Sequence, residues 1–488
     1  MEDFTSANIA VSDEKREEEL EKVKRGKVDY SKLEAEVQEA KSNALEGNLT
    51  ACLETLLSLE KQHRLGEDVT ATKICCNAIV ETLFLAKEWK LLNEHILLLA
   101  KRRSQLKQAI QSFVRQSMAY IPQTPDKETR IELIKTLQTV TEGKIFVEIE
   151  RARLTKQLAK LKEEEGKVEE AAEILQEVAV ETFGAMAKTE KVFYILEQVR
   201  LCLDRKDYIR AHILAKKVSP RAFVEQPNKK GQKEGEVGIE GTTIQAADAD
   251  TPSLQDLKLM YYNLLIRYHE HQNSYIDICR CYRSIYEIPS IQEDSSKWAP
   301  VLKKICWYVV LASADSDQVT LLNTTAADKK LVELPDYKEL LQTFIVKEVA
   351  WWTSFEEKHR AEVAAEESIF SGERGQKRQE DLRLRVIEHN ILVIAKYYSR
   401  ITVARLAQLL DLPAAEAEKH LSDMVVAKAL TARMDRPAGV IRFAARKAPA
   451  ELLNGWARSI GRLLEIVEKS TQNIQKESMV HKVAIGVA

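Results

Sequence analysis

The sequence predicts an all-α-dominated chain: an α-solenoid of TPR-like helix pairs, then a small winged-helix domain, then a lone C-terminal helix. Three observations carry this expectation. Only 16 Gly and 11 Pro occur in 488 residues, too few for a turn-rich β architecture. A helical pattern recurs about every 40 residues over the first two thirds of the chain. Past residue 400 the order changes to helix, turn, helix, strand, Pro/Gly wing, strand.

Residues 1–50 carry 13 acids and 8 bases and few apolar side chains at their start, so 1–39 is read as an acidic, flexible N-terminus. From residue 40 the apolar spacing becomes helical, as in Leu53, Leu56, Leu57 and in Leu91, Leu92, Ile96, Leu99. A short pattern then repeats: a small or charged turn residue, an apolar residue two on, and further apolar residues at helical spacing. It starts at Gly47, Lys87, Gly166, Lys206 and Asn273, with a weaker copy at Asp126. This predicts a solenoid over 40–375, each helix pair hiding its apolar face against its neighbours.

The last interval is too long by one segment, 225–252. There Gly231, Gly235, Gly238 and Gly241 stand among Lys, Glu, Asp and Thr, a composition unable to bury enough surface to order itself, so a disordered insertion is expected. A polar stretch at 363–380 reads as a linker, followed by a helix from Asp381 to Tyr398. The winged helix is placed at 376–447, with a short strand at Ile401–Val403, helices at Val403–Leu410 and Ala414–Lys428, and strands at Ala429–Met434 and Val440–Phe443. Its packing positions are Ile401, Leu406, Leu409, Leu410, Leu421, Ile441 and Phe443; its wing carries Arg433, Arg436 and Gly439.

Residues 448–488 form the final helix. Leu453, Trp456, Ile460, Leu463, Val467 and Ile474 alternate three and four apart, a heptad seam that asks for partner helices. No further helix follows to receive it, so an intermolecular bundle is expected.

The formal charge is −2, which excludes a chain-wide field of one sign. The longest apolar run, Ile305–Ala312, is far short of the ~20 residues of a membrane span. No secretory leader is visible in the first residues. Seven Cys without framework spacing read as reduced thiols of a cytosolic or nuclear protein.

Catalytic patterns are missing. His269-Glu270-His271 has the His-x-His of a JAMM-type metalloprotease, but Cys279 and Tyr282 occupy the places where Ser and Asp would complete it, so solvated surface histidines are the better reading. Cys279-x-Cys281 and Cys75-Cys76 lack a second ligand pair. The G-x-x-G-x-x-G of the insertion opens no helix after a strand, so it fits no phosphate-binding loop. No enzyme, metal site or cofactor is expected. Residues 376–450 hold 14 Lys+Arg and 8 Asp+Glu, with Arg433, Arg436, Arg442, Arg446 and Lys447 toward the wing. The second helix, which would read bases, instead carries Glu416, Glu418 and Asp423, which phosphates would repel. Nucleic acid is disfavoured, and the wing suits an acidic protein partner equally well.

Several stretches are then recognisable: Leu56-Leu57-Ser58-Leu59-Glu60-Lys61-Gln62, Lys101-Arg102-Arg103-Ser104-Gln105-Leu106-Lys107-Gln108, Val140-Thr141-Glu142-Gly143-Lys144-Ile145, Glu150-Arg151-Ala152-Arg153-Leu154-Thr155-Lys156, Lys206-Asp207-Tyr208-Ile209-Arg210 and Ala407-Gln408-Leu409-Leu410-Asp411-Leu412. With Arg400-Ile401-Thr402 and Ala438-Gly439, the chain resembles PCI-domain proteins over roughly residues 40–480. Within that family it is most similar to PCI subunits of the proteasome regulatory-particle lid, the COP9 signalosome being the alternative and a winged-helix nucleic-acid binder the alternative from another class. The resemblance implies a non-catalytic scaffold in a hetero-oligomer that supports ubiquitin-dependent protein degradation. Implied partners are other PCI lid subunits, the lid metalloprotease deubiquitinase, and the core-particle α-ring and ATPase ring; no membrane is implied, and the location is cytoplasmic and nuclear.

Overall fold

A computed structural model describes residues 30–45, 48–223, 245–443 and 449–481. By contact density the chain divides between His271 and Gln272 into two compact units.

The first unit is a succession of helices: α1 (Tyr30–Leu45), α2 (Leu49–Leu65), α3 (Val69–Leu85), α4 (Trp89–Lys101), α5 (Lys107–Tyr120), α6 (Lys127–Thr141), α7 (Glu148–Glu164), α8 (Val168–Gln176), α9 (Lys188–Asp204), α10 (Tyr208–Lys217) and α11 (Leu254–Gln272). From α1 to α4 and again from α6 to α10 each packs on the next, while α3 packs on α5 and α4 on α6. That nearest-neighbour pattern is a solenoid. The helical apolar sets land where their spacing put them. Leu53, Leu56, Leu92, Ile96 and Leu99 are buried, with Leu57 and Leu91 packed at the edge of the same core.

The recurring turn residue has a definite geometry. Lys87, Gly166, Lys206 and Asn273 all have left-handed backbones, φ 58°, 80°, 65° and 56°. Each is the residue that closes one helix before the next begins two residues later. At α9 the N–H of Asp207 donates to Cys202 O at 2.8 Å and that of Lys206 to Leu203 O at 3.1 Å, the paired bonds of a Schellman C-terminus. Asp126, where the copy of the pattern is weaker, is extended instead, φ −119°. Gly47 lies outside the described residues.

Ion pairs, three of them on the buried glutamates Glu60, Glu150 and Glu190, link helices one repeat apart. Glu60 is fully buried and receives Arg64 at 3.1 Å, Arg102 and, at 3.3 Å, the Gln105 amide. Glu150 takes Arg115 at 2.7 Å, Glu190 takes Arg153 at 2.7 Å, and Glu163 takes Arg200 at 2.5 Å. Two of the recognised stretches, around Glu60 and around Arg102, therefore meet in one buried pair.

Two boundaries move. The solenoid starts at Tyr30, ahead of residue 40, because Leu33, Val37 and Ala40 give α1 a buried stripe among its many charges. In the expected insertion, 225–244 lie outside the described residues, while 245–252 are held on the first unit. The N–H of Gln245 donates to Ala185 O at 3.0 Å and Arg153 Nη2 donates to Ala246 O at 3.1 Å. Composition was a poor guide here, since backbone groups make both contacts.

The second unit contains α12 (Tyr275–Tyr286), α13 (Pro289–Gln292), α14 (Ser295–Leu311), α15 (Ser316–Ala326), α16 (Pro335–Ile345), α17 (Trp352–Ala365), α18 (Glu367–Phe370) and α19 (Gly372–Tyr397). The longest apolar run belongs to α14, buried from Ile305 to Leu311 among α12, α15, α16 and α19. No described helix is long and apolar enough to cross a membrane.

The expected linker at 363–380 is helical, and α19 begins at Gly372 rather than Asp381. Its inward positions carry Gly375 and Arg378 in place of aliphatics, so a search for apolar spacing passes over them. Arg378 is buried and donates to Ile369 O at 2.9 Å. A Cβ on Gly375 would stand 2.1 Å from the Phe370 carbonyl. The proposed domain limit at 375/376 thus falls inside a continuous helix.

All seven cysteines are free and buried. Burial pushes the Cys75, Cys279 and Cys281 thiols up to about 12, so they remain protonated and unreactive near neutral pH.

Candidate partner interface

After α19 come β1 (Arg400–Thr402), α20 (Val403–Leu410), α21 (Ala414–Val426), β2 (Ala432–Asp435) and β3 (Val440–Phe443). The strands form one antiparallel sheet in the order β1-β3-β2, with Ile401 opposite Ile441 and Met434 opposite Ile441. This is a winged helix. Thr402 accepts the Arg405 N–H at 3.3 Å to open α20, and Asp411, left-handed at φ 53°, closes it. Lys428, also left-handed, ends α21 before its expected limit and delays the following strand to Ala432.

The packing residues form one core. Ile401, Leu406, Leu410, Leu421, Ile441 and Phe443 are buried together with Ile387, Ile391 and Ile394 of α19, and Leu409 packs at its edge. Gly439 makes the wing turn at φ +62°. Arg436 is exposed and pairs with Glu418 of α21 at 2.6 Å; Arg433 points outward from β2. Arg446 and Lys447 lie outside the described residues.

The final helix, α22 (Pro449–His481), is 33 residues long, about 50 Å at 1.5 Å per residue. The seam residues are all open to solvent: Leu453, Trp456, Ile460, Leu463, Val467 and Ile474 are 53–66% exposed. Leu464 and Ile466, also exposed, flank this seam on either side. With Leu453 as position a, they occupy e and g, positions that carry charge in a two-stranded coil. Apolar residues there widen the stripe into the face of a multi-helix bundle. The spacing rule had picked only a and d positions; the e and g signal was present in the same heptad.

The other residues singled out for chemistry do not converge. His271 stacks on Tyr208 at 3.6 Å between ring centres, and His269 lies edge-on to Tyr268. Among the described residues no group of three His, Cys, Asp or Glu is placed to hold a metal ion.

Family models match three consecutive parts of the chain: PSMD12/CSN4, N-terminal, over 51–234 and 238–294; the PCI domain over 357–444; and the 26S proteasome regulatory subunit RPN5 C-terminal domain over 450–482. The 26S proteasome non-ATPase regulatory subunit 12 homolog A of Arabidopsis thaliana is 56% identical over 441 residues, 90% of this chain and 99% of the relative. The chain belongs to this family. The 26S proteasome regulatory subunit RPN5 of Saccharomyces cerevisiae is 35% identical over 455 residues, covering 93% and 96% of the two chains. The COP9 signalosome complex subunit 4 of Drosophila melanogaster is more distant, 24% identical over 387 residues, 78% and 83% of the two.

For a subunit 12 family member the third match is the informative one. It coincides with α22. The PCI match opens inside α17 and ends at the last strand.

Proposed function

We propose that this chain is a non-catalytic scaffold subunit of the 26S proteasome regulatory-particle lid, acting in ubiquitin-dependent protein degradation. The observation that carries the reading is the wide apolar face of α22. A helix with ten large apolar side chains in the open, eight of them along this stripe, is unstable as a soluble surface and becomes stable inside a bundle. The winged helix supplies the base from which that helix leaves. On this reading the seam residues enter a bundle with the C-terminal helices of other PCI lid subunits. The winged helix packs against its neighbours, and the solenoid reaches toward the core-particle α-ring and the ATPase ring. The chain thereby positions the lid metalloprotease deubiquitinase and performs no bond chemistry itself. Its place is the cytoplasm and the nucleus.

The identities favour the lid over the signalosome, 56% against 24%. The nucleic-acid alternative is weakened by α21, where Glu416 and Asp423 are exposed and Glu418 is half-buried. The decisive experiment is affinity purification of the tagged native chain followed by mass spectrometry. Lid and core-particle subunits in fixed ratio are expected; recovery of signalosome subunits alone, or of no partner, refutes the proposal.

A further inference from the structure

One rung of the winged-helix sheet is occupied entirely by arginine. Arg400 of β1 faces Arg442 of β3, and Arg433 of β2 faces Arg442 from the other side. All three side chains are exposed on the solvent face, because the alternate residues Ile401, Met434 and Ile441 turn inward to the core. Like charges directly opposite one another on a sheet are destabilising, yet none of these three guanidiniums has an ion-pair partner among the described residues. Two acids of the same small domain are committed elsewhere. Glu418 holds Arg436, and Asp435, two rungs along, accepts the Ala438 N–H at 3.3 Å.

We propose that the Arg400–Arg442–Arg433 row is a docking surface for an acidic helix of a neighbouring protein. Adjacent antiparallel strands place facing residues about 4.5–5.5 Å apart, so the row spans roughly 10 Å in two steps. Carboxylates at i, i+4 and i+7 on one helix face repeat at nearly the same interval, from the 1.5 Å rise per residue. Each guanidinium can then take one carboxylate through paired N–H donors. A phosphate backbone fits less well, since the exposed acids of α21 belong to the same small domain. The row faces outward from the sheet, away from the apolar core, so it adds a contact independent of the α22 seam. The inference rests on the assembly reading only for the source of the helix.

The test uses the full chain and an Ala-rich helical peptide with Glu at i, i+4 and i+7, followed by fluorescence anisotropy. Wild type is expected to bind, with affinity falling as salt rises. The Gln version of the peptide and the variant Arg442→Glu are each expected to bind at least tenfold more weakly. The same variant should melt no lower than wild type, because its carboxylate would sit between two guanidiniums; a merely structural Arg442 would lower the melting temperature. No binding by wild type, equal binding by Arg442→Glu, or preference for duplex DNA over the Glu peptide overturns the proposal. Any of these results leaves partner recovery in the purification experiment unaffected, so the two readings fail separately.

Discussion

Replacing Trp456 by Ala and Leu463 by Asp in one chain separates assembly from folding. Both side chains are largely exposed, 66% and 61%, so the free chain loses little. Exposed substitutions of this kind stay within about 0.5 kcal/mol. In a bundle the two sites lie one d-to-d heptad apart and become buried together. Truncating a buried Trp at an interface removes about 2–4 kcal/mol. Losing the burial of Leu463 removes about 1.5 kcal/mol, and a carboxylate left unpaired in a desolvated seam costs several more. The sum exceeds about 6 kcal/mol, or roughly a 10,000-fold weakening at 1.4 kcal/mol per decade. Co-purification with partner subunits, compared in parallel with thermal melting of the isolated chain, reads both quantities. Loss of partners with an unchanged melting temperature is expected. Normal recovery of partners would show that the seam is not the contact, and a melting temperature lowered by several degrees would show that it packs on its own chain.

Three further substitutions probe the scaffold. Glu60→Ala strips Arg64 and Arg102 of a fully buried partner and should destabilise the first unit by about 3 kcal/mol in urea unfolding, with Glu60→Gln milder. Gly375→Ala sets a methyl 2.1 Å from the Phe370 carbonyl, so α18 and α19 must separate; a loss of about 2–3 kcal/mol is expected, and an unchanged melting temperature would contradict the close approach. Burial holds His359 below its ordinary value of 6.5, so unfolding takes up a proton there. Its stabilising contribution is complete above about pH 7 and is lost as the pH falls through 6.5 and toward the folded value. The wild-type melting temperature should decline over that window, and His359→Phe should flatten the decline.

How much of this was readable in advance depended on which atoms carried the signal. Where side chains repeat with a period, as in the solenoid and in the α22 seam, the pattern led to the buried or exposed stripe. The turn residues Lys87 and Lys206 were visible as punctuation, but Lys has no preference for their left-handed backbone, whereas Gly166 and Asn273 announce it. Strand β3 was located to the residue because Pro437 to Gly439 brackets its start. Strand β2 was misplaced because the chain leaves α21 through a left-handed Lys428. The helix over the supposed linker was hidden because its inward residues are a glycine and an arginine. The arginine row could not be read at all from one dimension: Arg400 and Arg442 are brought together only by the register of the sheet.

Helix α19 serves two cores at once. It packs on α14 and α18, and Leu382 and Val386 are buried outside the winged-helix cluster, while Ile387, Ile391 and Ile394 belong to the winged-helix core. The helix therefore sets a phase angle as well as a distance. At about 100° per residue, adding or removing a single residue between Leu382 and Ile387 would swing the winged helix through more than a quarter turn, carrying the arginine row with it. A full turn of three or four residues would nearly restore its bearing while displacing it by about 5 Å along the axis. Divergence within this helix should accordingly accumulate as substitutions and resist changes of length.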